Sequence, residues 1–276
     1  MSDFENISEH YTRDGILNAI SDAFLSVGIN PDSLTTKDLA PVDHFHGRGL
    51  AATEDLLAAL YVEADHYVLD MGCGIGGPAR HMAEVAGCRV SGIDLTESFI
   101  EVADELTRRA GLNGQVDFQC ANALDLPFEN ETFDRVYTQN VSMNISDKEA
   151  FFRSAYRVLK PGGIFGAYEL AAGPEAPPTY PVPWAEVAEN SFLSTPSATR
   201  NVIEGVGFEI VDFSDLTAEA LEFFQQSREK IKKEGPPKLG THLILGPRAK
   251  VMMRNMADNV EEQRVMPIQI ICRKPE

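Results

Sequence analysis

The stretch HYVLDMGCGIGGP, residues 66–78, decides the fold. An apolar, β-branched run over residues 66–71 carries one acid, Asp70, and empties into Gly72–Gly77, a loop with four glycines in six positions. Pro78 suits the first helical position, where its missing N–H costs nothing, and predicts a helix over residues 78–86. Strand, glycine loop and helix in this order open a βαβ unit. Working outward, CRVSGI (residues 88–93) reads as a second strand ending in Asp94. Thr96 then caps a helix whose Phe99, Val102, Ala103 and Leu106 share a face. Val116–Gln119 reads as a third strand leading into the loop CANALDLPFENETF, and residues 133–138 as a fourth. A helix over residues 147–158 is followed by Lys160-Pro161-Gly162-Gly163, a turn into a fifth strand, Ile164–Leu170. A sixth strand is expected at residues 208–213 and a seventh at residues 267–273, with Pro267 at its first residue, where a strand tolerates it. Alternation of this kind is the signature of an α/β fold around a largely parallel sheet.

Three segments stand outside the alternation. Residues 1–50 read as a helical cap, with Ile16, Leu17, Ile20, Phe24 and Val27 along one face. Residues 171–195 hold Pro174, Pro177, Pro178, Pro181 and Pro183 and read as a stiff connection. Residues 216–247 read as a charged helix and a Gly/Pro loop. The domain reading is therefore a cap over 1–50 and one domain over 51–276 with cap insertions near 171–195 and 216–247. Long insertions at the carboxyl end of such a sheet build lids, so these segments are expected to close over a ligand.

The chain has 276 residues, 43% hydrophobic and 24% charged, a composition that builds a globular core. Its 42 acids against 24 bases give −18, which argues against nucleic acid or an anionic membrane as partner, since both are held by clustered Lys and Arg. MSDFENISEH shows no apolar run of a leader, and no stretch is long and apolar enough to span a bilayer, so a cytoplasmic protein is expected. Cys73, Cys88, Cys120 and Cys272 show no metal spacing and read as reduced, mostly buried thiols. No metal is expected.

Two patterns overlap in the loop. Gly72-x-Gly74-x-x-Gly77 with Asp94 22 residues after Gly72 fits a dinucleotide fingerprint, which permits an NAD-dependent oxidoreductase. Asp70-x-Gly72-x-Gly74-x-Gly76 fits a different ligand. A carboxylate at the strand end would repel a pyrophosphate, whereas it attracts a cofactor carrying an ammonium and a sulfonium. S-adenosylmethionine has those charges and no phosphate. Asp94 can accept both ribose hydroxyls of either ligand.

With these residues in view, the chain resembles the class I S-adenosylmethionine-dependent methyltransferases over nearly its whole length. It is most similar to the small-molecule branch that includes sarcosine/dimethylglycine, tocopherol and sterol methyltransferases. VLDMGCGIGG, GIDLT, ALDLPFENETFD, VYTQNVSMNI and RVLKPGG carry the resemblance, with HYTRDGI and PVDHFHGRG near the N-terminus. It implies a Rossmann-like sheet of seven strands, six parallel and the last antiparallel, with helices on both faces and a helical and loop cap. It implies that Asp70, Gly72, Gly74 and Gly76 cradle the methionine portion, that Asp94 binds the ribose, and that Leu95 lies beside the adenine. Asn122, Ala123 and Leu124 would meet the adenine edge, the Asn122 carbonyl oxygen accepting from the adenine amino group where relatives carry an acid. Gln139 would reach the methionine end, and Tyr11 would close over the cofactor. His44 and His46 are candidates for cofactor capping or proton removal, and Asn140 stands where relatives often have histidine. Glu169 is read as facing either the acceptor or solvent. Tyr180, Trp184 and Phe192 are read as lining the acceptor pocket or anchoring their insertion, and Met252, Met253 and Met256 as core. The expected activity is methyl transfer to a small molecule, first an amine of the glycine/sarcosine/dimethylglycine type, with O- or C-methylation of a natural-product or quinone-like acceptor as the alternative. A non-catalytic S-adenosylmethionine-binding protein is the alternative of another class. A small-molecule acceptor is the expected partner, with self-association left open.

Overall fold

A computed structural model describes residues 10–13 and 15–276; the expected cap segment therefore lies partly outside the described residues. Among the described residues from Ile16 onward, the chain begins with α1 (Ile16–Ser26), α2 (Thr36–Asp43) and α3 (Leu50–Leu60). The alternating core follows as β1 (Tyr67–Met71), α4 (Gly77–Ala86), β2 (Arg89–Asp94), α5 (Glu97–Arg109), β3 (Val116–Cys120), β4 (Phe133–Gln139), α6 (Lys148–Val158) and β5 (Leu159–Ala172). It closes with α7 (Pro196–Val206), β6 (Glu209–Asp215), α8 (Thr217–Glu234), α9 (Ala249–Glu261) and β7 (Val265–Arg273). The seven strands run in the order β3-β2-β1-β4-β5-β7-β6, and β7 lies antiparallel to both neighbours.

Alternation along β1 explains the layering, because successive side chains point to opposite faces. Leu69 and Met71 face a core with Phe151, Phe152 and Ala155 of α6 and Ile203 of α7. Val68 faces the other side, with Leu56 and Leu60 of α3 and Met82 of α4. Helices thus cover both faces, as expected. Asp70 shares the α3/α4 face with Tyr137, its register partner on β4. A third cluster joins α1 and α2 (Ile20, Phe24, Leu39, Val42) to Phe99, Val102 and Leu106 of α5. The N-terminal helices are therefore a packed layer and not only a lid.

Several local expectations shift. Helix α4 begins at Gly77, so Pro78 takes its second position, equally free of a required N–H. Thr96 occupies the cap position of α5, but its hydroxyl is unpaired, because its backbone N–H is drawn to Asp94. The Lys160–Gly163 turn lies inside β5: register jumps from Phe133↔Leu159 to Arg135↔Ile164, and Gly162 N–H bonds to the Lys274 carbonyl. It is a bulge, not a connection between elements. Pro267 is the third residue of β7, with strands on both sides. Its carbonyl faces the β6 side, where it accepts from Leu216 just as the chain leaves β6 for α8. The absent N–H lies on that same side, beyond the end of the ladder, so no pairing is lost. Val27 falls past the end of α1 and Met253 faces outward, so neither is core.

Candidate cofactor and acceptor site

The loop after β1 is shaped by contacts that exclude a side chain. Gly72 has φ +82°, and a Cβ there would come within 2.3 Å of the Val141 side chain. Gly76 has φ +80°, and its Cβ would meet Phe118 at 2.4 Å. Gly74 is also left-handed but opens onto space, and its N–H donates to Asp94 Oδ2 at 2.9 Å. Asp94 Oδ1 takes the N–H of Thr96 at 2.9 Å. Each carboxylate oxygen keeps a lone pair for a further donor. Burial raises Asp94 above the ordinary carboxylate range, and the backbone N–H bonds hold it back.

Asp70 is the most perturbed carboxylate of the loop. It is 2% exposed and takes one side-chain hydrogen bond, from Tyr137 Oη at 2.7 Å. Burial pushes its pKa up to about 7, with the Tyr137 bond opposing and the charge of Asp94 adding. No cation of the protein answers it among its described partners.

The post-β3 loop closes against the end of β2. Ala121 N–H bonds to the Asp94 carbonyl, and Leu95, Asn122, Ala123 and Leu124 are all half-buried around that junction. The Asn122 Oδ1 already accepts from Leu124 N–H at 2.9 Å, forming a local Asx turn. The side chain shapes the loop first, and offers a ligand only its amide nitrogen and a second lone pair.

Past β4, Gln139 is buried, and Asn140 takes φ +55° with an unpaired buried Oδ1. What bends the chain here is Glu169, which is turned away from solvent. It is 1% exposed and accepts from the N–H groups of Val141 and Ser142, from Ser142 Oγ at 2.8 Å and from Thr138 Oγ1 at 3.3 Å. Burial raises its pKa, and these donors and Lys148 oppose the rise. The loop so braced carries Asn144, which sequence reasoning missed. The Asn144 amide meets Tyr11 Oη at 3.3–3.4 Å. Tyr11 packs edge-on against Phe45 and tilted against Phe99, near enough to Asp94 for that charge to help burial raise its pKa. Only the fold brings residues 11, 94 and 144 together.

His44 and His46 lie under the same rim, their ring centroids 5.8 Å apart. His44 Nδ1 bonds to Asp43 Oδ1 at 2.8 Å, while its buried Nε2 has no partner. Asp43 also takes Arg80 Nη2 at 2.9 Å, and Arg80, fully buried, donates to the Ile75 carbonyl of the glycine loop. Burial alone would raise Asp43, but His44 and Arg80 outweigh it and hold it below the usual range. Helix α2 and the glycine loop are therefore one hydrogen-bonded unit. His46 is neutral, burial and His44 pushing its pKa down to about 3. Trp184 is buried with Met143 and Leu170 and donates to Ser191 Oγ at 2.9 Å, so it anchors the proline-rich insertion. Glu63, Asp65 and His66, whose ligand-type atoms lie within 4.8 Å of one another, sit ahead of β1, at the end opposite the glycine loop, and take no part.

Residues 69–167 match the family described as a methyltransferase domain. Methyltransferase GfsG of Streptomyces halstedii is 30% identical over 186 residues, 65% of this chain and 66% of that protein. The sarcosine/dimethylglycine N-methyltransferase of Halorhodospira halochloris is 30% identical over 172 residues, 62% of each. The chain thus spans just under two thirds of these relatives' length. A geranyl diphosphate C-methyltransferase from Streptomyces coelicolor A3(2), solved with S-adenosyl-L-homocysteine, superposes with a TM-score of 0.73 over 99% of this chain and 98% of that one, at 15% identity, a likeness of fold. The chain belongs to the class I S-adenosylmethionine-dependent methyltransferases, in the small-molecule branch.

Proposed function

We propose that the protein transfers the methyl group of S-adenosylmethionine to a small-molecule acceptor, an amine of the glycine/sarcosine/dimethylglycine type. The observation that carries the cofactor reading is Asp70, a buried carboxylate at the end of β1 with a phenol and no cation beside it. A ligand bearing an ammonium and a sulfonium completes that site, and a pyrophosphate would not. Asp70, Gly72, Gly74 and Gly76 then hold the methionine portion, Asp94 the ribose, Leu95 and Asn122–Leu124 the adenine, Gln139 the methionine end, and Tyr11 closes over them. The product is S-adenosylhomocysteine.

Displacement at a sulfonium methyl needs alignment and exclusion of water more than activation, so the chain's task is to fix the acceptor in line with the sulfur. A base matters only when the acceptor arrives protonated. His44 keeps that role in the proposal, oriented by Asp43 with Nε2 unpaired, as a base–carboxylate pair requires. His46, with its pKa near 3, serves position and not proton removal. Asn140 Oδ1 offers an acceptor for an amine N–H, leaving the nitrogen lone pair for the methyl. The amine class draws support from the Halorhodospira relative named for sarcosine and dimethylglycine.

A screen of amines, phenols and thiols, read as S-adenosylhomocysteine formed, tests the proposal. Turnover confined to phenols or carbon nucleophiles would replace the amine reading with O- or C-methylation. Cofactor binding without turnover on any acceptor would make the chain a binding protein.

A further inference from the structure

A polar chain beneath the end of β4 fixes which way the Gln139 amide faces. His46 Nδ1 lies 3.2 Å from the Gly47 carbonyl oxygen. A carbonyl only accepts, so the imidazole proton belongs on Nδ1. His46 is neutral at physiological pH, so Nε2 has no second proton and must accept. The Thr53 hydroxyl stands 3.2 Å from that nitrogen and has one proton to give. Given to His46, it cannot also be donated to the Gln139 carbonyl oxygen placed 3.2 Å away on the other side. Thr53 Oγ1 can only accept from Gln139, so the amide stands turned, with its nitrogen on Thr53. The unpaired position of the amide in the buried interior then belongs to the carbonyl oxygen. The opposite assignment would aim the Nδ1 lone pair at the Gly47 carbonyl in a buried setting, two acceptors with no proton between them.

Sheet order says what reaches that oxygen. A nucleoside held by Asp94 on β2, with its base against the post-β3 loop, must extend across β1 toward β4, because the strands run β3-β2-β1-β4. Its amino-acid end arrives at Asp70 and Gln139. Asp70 pairs in register with Tyr137, and Gln139 lies two residues further along β4, so both side chains share one face. We infer that Gln139, its amide set by Thr53 and His46, accepts from the ammonium group of the cofactor's methionine portion with its carbonyl oxygen, and does not donate to the carboxylate. The inference rests on the cofactor reading proposed above. Gln139 and Asp70 are then two acceptors for one cation, and Thr53 and His46 are positioning residues that act through Gln139.

The test is calorimetric binding of S-adenosylhomocysteine, of its analogue without the α-carboxylate and of its analogue without the α-amino group, to the wild type and to Gln139→Met. The substitution should weaken the first two by roughly ten- to hundredfold and leave the third within about twofold, since only the first two keep the ammonium. Thr53→Val, which frees the amide to turn, should erase the discrimination between the two analogues. Loss confined to the ligands that keep the carboxylate, or equal loss on all three, overturns the inference. In the wild type, nitrogen-15 spectra of the imidazole should show His46 in the Nδ1–H form, and an Nε2–H form overturns it without any variant. Failure of the folded wild type to bind S-adenosylhomocysteine would fell the cofactor reading and this inference together. A reversed analogue pattern with S-adenosylhomocysteine still bound fells the amide assignment alone.

Discussion

At the residue scale, the two acids at the ends of β1 and β2 divide the work of the site. Asp70 is raised to about 7 by burial, and the proposed ligand is a cation, so binding favours the ionised form and releases a proton. Affinity for S-adenosylmethionine should therefore fall as pH drops below about 7 and level off above it. Asp70→Asn should flatten the profile and weaken binding, and calorimetry between about pH 5.5 and 8.5 reads both. The sign is opposite for folding without ligand. A carboxyl whose folded pKa lies above its unfolded value binds more protons when folded, so its contribution to stability is lost as pH rises through about 7, where ligand restores it. Asp94 has a double role, since it holds Gly74 and Thr96 as well as the proposed ribose. Asp94→Ala should cost roughly 1.5–3 kcal/mol of cofactor affinity, from lost charge-assisted hydrogen bonds. An unchanged Kd would remove Asp94 from the site.

Elements meet at two buried braces. Glu169 at the end of β5 gathers the N–H groups and hydroxyls after β4, and so sets the loop that carries Asn140 and Asn144. Glu169→Gln puts an NH2 among donors, and should lower unfolding free energy by about 1–3 kcal/mol in a denaturant titration. Methyl transfer should fall further than cofactor binding, because the displaced residues lie on the proposed acceptor side. On the other flank, Arg80 and Asp43 weld α2 to the glycine loop, and α1 and α2 share a core with α5. This narrows the closing segment expected for residues 1–50. Hydrogen exchange should find residues 16–43 protected with or without S-adenosylhomocysteine, and the ligand-dependent gain centred on His10–Arg13 and the Asn140–Asn144 loop. A gain spread evenly over all three N-terminal helices would restore the larger lid.

For the whole molecule, charge and topology set partners. A net charge of −18 disfavours a phosphate backbone as partner, and gel-shift titration should find no salt-sensitive binding to DNA or RNA. Among the described residues, no helix is long and apolar enough to cross a membrane. NAD should not bind, because its pyrophosphate would lie against Asp70 with no cation to offset it. Saturable NAD binding without S-adenosylmethionine binding would overturn the proposed function.

What the sequence determined by itself is what local spacing encodes. The alternation of strands and helices, the left-handed glycines of the loop and the acids at two strand ends are each written within a dozen residues, and all seven strands stand within a few residues of their expected places. Local expectations shifted where a second group, two residues away or on a neighbouring strand, competes. Thr96 lost its cap to Asp94, Asn122 Oδ1 is shared with Leu124, and Pro267 is tolerated mid-strand because β6 has already ended. The rest of the site belongs to the tertiary structure alone. Tyr11 meets Asn144 across 133 residues, Thr53 meets Gln139 across 86, and Tyr137 meets Asp70 across 67. No local pattern marks such pairs, because they are selected by which strand ends adjoin and by burial, which obliges each polar group to find a partner wherever the fold has put one.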